Sequence, residues 1–184
     1  MLVGAPAVPP DWAFGWQHAK DGVVTGADWK KIADNYATGA LPLDALWATV
    51  DSNEDFKTFT VSSEKYPKID TIIDALHKSN VHVVPAIESG ISMVDGANPA
   101  MTSASGKNVF ITSMDKSAGV GRQFGNKVAF PDFTSANTAA WWSGAMTTYH
   151  KSLAFDGVWL DRNEMDSECA GYCYPNNMVG GQVP

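Results

Sequence analysis

Cysteine is almost absent from this chain, and the marks of several other protein classes are missing with it. Cys169 and Cys173 are the only two in 184 residues, too few for the stapled framework of a small secreted domain. They form a C-x-x-x-C pair, open to a local disulfide or to two free thiols. A zinc site needs more ligands than this pair and four distant histidines supply. No apolar run approaches the ~20 residues of a membrane span. The opening Met1-Leu2-Val3-Gly4-Ala5-Pro6 has neither a basic start nor a long apolar core. No signal peptide is therefore expected, and the compartment is left open. Runs of Lys or Arg are also missing, and the formal net charge is −7. That balance disfavours nucleic acid and anionic membranes as partners, since both reward basic patches.

Cofactor signatures are equally scarce. Gly119-Val120-Gly121 is a lone G-x-G without a strand-to-helix setting. Asp161, Asn163, Glu164 and Asp166 lack the spacing and central glycine of an EF-hand, which leaves a metal module there as the weakest alternative. His18, His77, His82 and His150 are scattered, and no nucleophile elbow accompanies them. Neither a cofactor nor a metal is expected.

What is present suits one globular domain: 45% hydrophobic residues and seven tryptophans. Strand-like runs occur at 12–16, 43–50, 81–87 and 157–161. Between them, helical spacing is predicted at Asp28–Ala37 with Thr25 as cap, at Lys68–Lys78, and at Ser135–Leu153. The last has Ala139, Trp142, Met146 and Tyr149 as its inward stripe, with Thr134 or Ser135 as cap. Alternating strand and helix is the pattern of βα units on a parallel sheet. The interval 89–127 is rich in Gly, Ser, Asn and Met, with one apolar run at Val109-Phe110-Ile111. It is expected to be a long functional loop.

The most informative segment is Phe155-Asp156-Gly157-Val158-Trp159-Leu160-Asp161-Arg162-Asn163-Glu164. It is predicted to be a buried strand ending in carboxylates, at the end where an α/β barrel carries its chemistry. An acidic turn capping the next helix is the plainer alternative. Alternation puts Trp159 and Asp161 on one face, Trp47, Thr49 and Asp51 on another strand's face, and Glu88 beside Ala86 on a third. Asp51, Glu88 and Asp161 are thus expected at a common mouth. Carboxylates walled by tryptophan suit a pyranose and the positive charge of an oxocarbenium-like transition state.

Several stretches, in order, resemble glycoside hydrolase family 31, the α-glucosidase family. Residues 155–164 are similar to the nucleophile strand, whose pattern is W-[IL]-D-M-N-E. Pro9-Pro10-Asp11-Trp12-Ala13-Phe14-Gly15-Trp16-Gln17 resembles the P-P-x-W-A-x-G-[WF]-x opening of the first strand. Leu41-Pro42-Leu43-Asp44-Ala45-Leu46-Trp47 resembles I-P-L-D-x-x-W, and Asp55-Phe56-Lys57-Thr58-Phe59 its D-F-T-F sequel. Val128-Ala129-Phe130-Pro131-Asp132-Phe133-Thr134 with Trp141-Trp142 is similar to A-F-P-D-F-T and W-W.

The resemblance implies a partial TIM (β/α)₈ barrel: the first four βα units, with a long insertion loop after the third strand. Residues 1–184 would be part of one catalytic barrel, completed by further sequence or another chain. It implies a retaining α-glucosidase-like activity on a carbohydrate substrate, with Asp161 as nucleophile and Glu164 ordering its loop. Trp47, Thr49, Asp51, Glu88, Phe124, Trp159 and Arg162 would contact substrate. The family's proton donor is an aspartate on a later strand that this sequence does not contain. Other departures are Thr49 where an aspartate is usual, Glu88 for Asp, Phe124 for Trp, and Arg162 for Met, which puts a cation next to Asp161. Thr49, Arg162 and the missing acid speak for the alternative to that leading reading, a catalytically silent carbohydrate-binding or scaffold fragment.

Overall fold

Four short parallel strands form the frame: β1 Gln17–Ala19, β2 Ala45–Ala48, β3 His82–Glu88 and β7 Trp159–Asp161, ordered β1-β2-β3-β7. The computed structural model describes residues 4–22, 25–93, 98–112 and 119–168, so Cys169 and Cys173 lie outside the described residues. Helices α1 Gly26–Thr38, α2 Ile69–Lys78 and α4 Ala136–Ser152 follow β1, β2 and the insertion respectively. Consecutive parallel strands joined through helices make a half-barrel, with β1 and β7 as its open edges.

The outward sides of the strands pack on the helices. Leu46, Val83 and Ile87 meet Trp29, Ile73, Leu76 and Tyr149 in one buried cluster. Leu160 shares that outward side on β7, yet it is 55% exposed because no described element covers the edge. α1 begins with a capping box: Thr25 Oγ1 accepts from the Asp28 amide, and Asp28 accepts from the Thr25 amide at 2.9 Å.

Three expectations change. Residues Asp11–Phe14 form a 3₁₀ turn, and the first strand starts only at Gln17. The family-like opening is thus the entry to β1 and not the strand. Along α4 the buried stripe is Thr138, Trp141, Ala145 and Tyr149, while Trp142 and Met146 are half-buried. Trp141 goes inward because its indole N–H has partners there: Ser103 Oγ at 2.9 Å and the Ala100 carbonyl at 3.2 Å. Both belong to α3 Pro99–Ala104, inside the interval expected to be loop.

That interval is the third change. Besides α3 it contains β4 Ile91–Ser92 and β5 Val120–Gln123, and with β6 Asn126–Ala129 these form an antiparallel sheet ordered β4-β6-β5. β5 and β6 are joined by a two-residue turn at Phe124 and Gly125, both with positive φ (48° and 77°). Gly125 fits there readily, whereas Phe124 is strained and depends on its neighbours. The small sheet also tolerates little added bulk at Gly121, where a Cβ would lie 2.2 Å from the ring of buried Phe130. Gly121→Ala is expected to cost about 1–3 kcal/mol of stability by overpacking, read as a lower urea midpoint at unchanged m-value.

Candidate active site

In parallel neighbours, register partners project to the same side of the sheet. Trp47 pairs with Val84, Ala86 with Trp159, and Glu88 with Asp161, so all six lie on the inward side. Trp47 and Trp159 pack with ring centroids 5.4 Å apart and 57° between planes. Gln17, also inward on β1, accepts the Trp47 indole N–H at 2.6 Å and fixes that ring. Glu88 and Asp161 end their strands just beyond this aromatic pair.

The two carboxyl groups have different surroundings. Glu88 is 1% exposed, and neither of its oxygens has a hydrogen-bond partner among the described residues. Burial, reinforced by the charge of Asp161 and opposed by Arg162, pushes its carboxyl up to about 7. Asp161 is only half-buried, and its Oδ1 accepts the Arg162 amide at 3.0 Å.

The second strand behaves otherwise. β2 ends at Ala48, and Val50–Ser52 form a 3₁₀ turn, so strand alternation does not reach Asp51. Thr49 is buried and donates to Asp51 Oδ2 at 3.3 Å, and the same oxygen accepts the Gly22 amide at 3.0 Å. Asp51 therefore ties the loop after β1 to the end of β2. The structure brings together Trp47, Trp159, Glu88 and Asp161, with Thr49 and Asp51 joined to each other at the end of β2.

After Asp161 the chain turns sharply, with Arg162 at φ 49° and Met165 at φ 59°. Glu164 is exposed there and makes no hydrogen bond with a described residue. The loop is ordered by others: Asn163 Nδ2 donates to the Asp161 carbonyl at 3.1 Å, and Ser89 Oγ to the Arg162 carbonyl at 2.6 Å. The Arg162 guanidinium pairs with Asp166 at 3.2 Å and lies over the Phe124 ring, 4.4 Å from its centroid. Phe124 in turn stacks on Phe56 with centroids 5.7 Å apart. Thus Arg162 and Phe124, both expected against substrate, also hold one another.

The insertion sheet grips the same loop at more points, none of which the sequence announced. Gln123, buried, accepts the Gly90 amide at 3.0 Å and donates to the Asp166 carbonyl at 2.7 Å. Glu168 accepts the Phe124 and Gly125 amides at 2.6 and 3.2 Å, supporting the strained turn. A buried glutamine in a Gly-rich stretch was the available signal, but its two partners lie 33 and 43 residues away. The histidines are less scattered than their spacing implied: His77 and His82 both approach Asp156, at 3.0 and 3.3 Å. Asp156 also accepts the Val83 amide at 2.8 Å, which fastens the segment before β7 to the start of β3, opposite the site. Among the described residues no three His, Cys, Asp or Glu side chains are grouped to hold a metal ion.

The chain has known relatives. Residues 6–182 match the family model for the glycosyl hydrolases family 31 TIM-barrel domain. Glucoamylase 1 of Candida albicans is 28% identical over 179 residues, covering 93% of this chain and 19% of that protein. Lysosomal alpha-glucosidase of Bos taurus is 28% identical over 99% of this chain and 19% of its own length. Alpha-xylosidase 1 of Arabidopsis thaliana is 29% identical over 94% of this chain and 19% of its own. The chain therefore spans about a fifth of the length of these curated relatives. A crystal structure of a glucosidase II alpha subunit superposes with a TM-score of 0.82 at 17% identity, over 89% of this chain and 18% of that one.

Proposed function

The chain belongs to glycosyl hydrolases family 31, and we propose that it contributes the nucleophile-bearing half of a retaining α-glycosidase barrel acting on α-linked glucose. The observation that carries this reading is the register pairing of Glu88 with Asp161 at the ends of adjacent parallel strands, against the Trp47–Trp159 wall. Asp161 attacks the anomeric carbon and forms a glycosyl ester, which water later opens. It suits that role because it is reachable, unlike Glu88, and because its loop is fastened at several points. Trp159 and Trp47 pack on the C–H face of the ring.

A retaining enzyme also needs a proton donor about 5–5.5 Å away across the scissile bond. Glu88 does not fit, since it is buried beside Asp161 on the same wall. The donor therefore comes from sequence or a chain that completes the barrel, in keeping with the fifth of its relatives' length that this chain spans. Alone, these 184 residues are expected to hydrolyse nothing. Glucose is preferred as substrate because glucosidases stand beside the xylosidase among the relatives.

The test is covalent trapping with an activated α-glucosyl fluoride in the completed barrel. Mass spectrometry should find one sugar on the peptide carrying Asp161. A label on Asp51 or Glu88 would overturn the assignment of roles. No label at all would favour the silent carbohydrate-binding alternative. Turnover of an α-xyloside in preference to an α-glucoside would overturn the choice of sugar.

A further inference from the structure

Glu88 and Asp161 are register partners on neighbouring parallel strands. Such backbones run about 4.8 Å apart with both side chains on one face. The Glu88 amide donates to Thr58 Oγ1 at 3.1 Å, which fixes the strand beneath its side chain. Its carboxyl group is enclosed, and both oxygens lack a donor among the described residues. Asp161 has Oδ1 on the Arg162 amide, and no described residue donates to Oδ2. Two carboxylates have no hydrogen to share and repel each other. A single proton between them turns the same contact into a charge-assisted hydrogen bond.

We propose that Glu88 is a positioning residue: it holds one proton and donates its O–H to Asp161 Oδ2, fixing the nucleophile's orientation. The inference rests on Asp161 being the attacking group, as proposed above. It accounts for a glutamate buried without a partner and without access to substrate. When the glycosyl ester opens, the same O–H stabilises the departing carboxylate. Burial is the main influence favouring the protonated form of Glu88, Asp161 and Asp166 add to it, and Arg162 opposes them.

The experiment is a ¹³C titration of the side-chain carboxyl carbons in the 184-residue chain, with Glu88 assigned through Glu88→Gln. The Glu88 midpoint is expected near neutrality, and it should move down in Asp161→Asn, where the like charge is gone. Asp161→Ser serves the same purpose should the asparagine variant fold poorly. A glutamate that is merely packed would keep its midpoint in both variants, and that result would overturn the proposal. So would a midpoint in the ordinary carboxylate range in the unaltered chain. Neither readout needs turnover, so failure here is distinct from failure of covalent trapping at Asp161.

Discussion

Asp161→Ala, introduced into a completed barrel, is expected to lower α-glucoside turnover by roughly four orders of magnitude or more, as loss of a covalent nucleophile does. The same change should abolish trapping by the glucosyl fluoride. Folding should suffer little. Asp161 ends β7 half-exposed, and its described side-chain hydrogen bond is to the Arg162 amide. Losing one such bond costs about 0.5–1.5 kcal/mol. Glu164→Gln is the matched control: an exposed turn residue without a described partner should change turnover less than about tenfold. Turnover curves and thermal melts of both variants together separate chemistry from stability. An Asp161→Ala enzyme within tenfold of the parent would sink the assignment.

Glu88 should dominate the stability of this chain between weakly acidic and neutral pH. Its carboxyl is raised to about 7 in the folded protein, against about 4.3 for an unfolded glutamate. Below that lower value both states are protonated and folding is not penalised. As pH climbs toward 7 the unfolded chain ionises freely while the folded one must keep its proton. Stability therefore falls across that window, then levels off above 7 where both states are ionised. The total loss is about 4 kcal/mol, because the group is 1% exposed and shielded from water. Urea titrations from pH 4 to 8 should display this slope, and Glu88→Gln should flatten it. A parent chain equally stable at pH 4.5 and 7.5 would contradict a buried acid that keeps its proton beside Asp161.

Much of the frame was legible in one dimension, for reasons local to each segment. Short β-branched and aromatic runs fixed the central strands to within a few residues, because pleat and burial act over a handful of positions. Thr25 was legible as the cap of α1, since an N-cap acts within three residues of the helix start. Asp161 was legible as the end of a strand. Its neighbour Glu88 was legible only as one of three carboxylates with the right alternation, and the structure joined two of them by register.

Sequence alone thus determined the βα alternation, the family likeness, and the set of candidate carboxylates and tryptophans. Tertiary structure decided which of them meet. It turned Asp51 toward Gly22, moved loop-holding from Glu164 to Asn163, Ser89 and Gln123, and sent Trp141 inward in place of Trp142. It also folded the expected loop into a small sheet that clasps the segment after Asp161. These outcomes depend on hydrogen-bond partners tens of residues apart, and a buried polar group goes where its partner is. Periodicity reports which side chains want burial, whereas long-range packing chooses among the faces that would satisfy them.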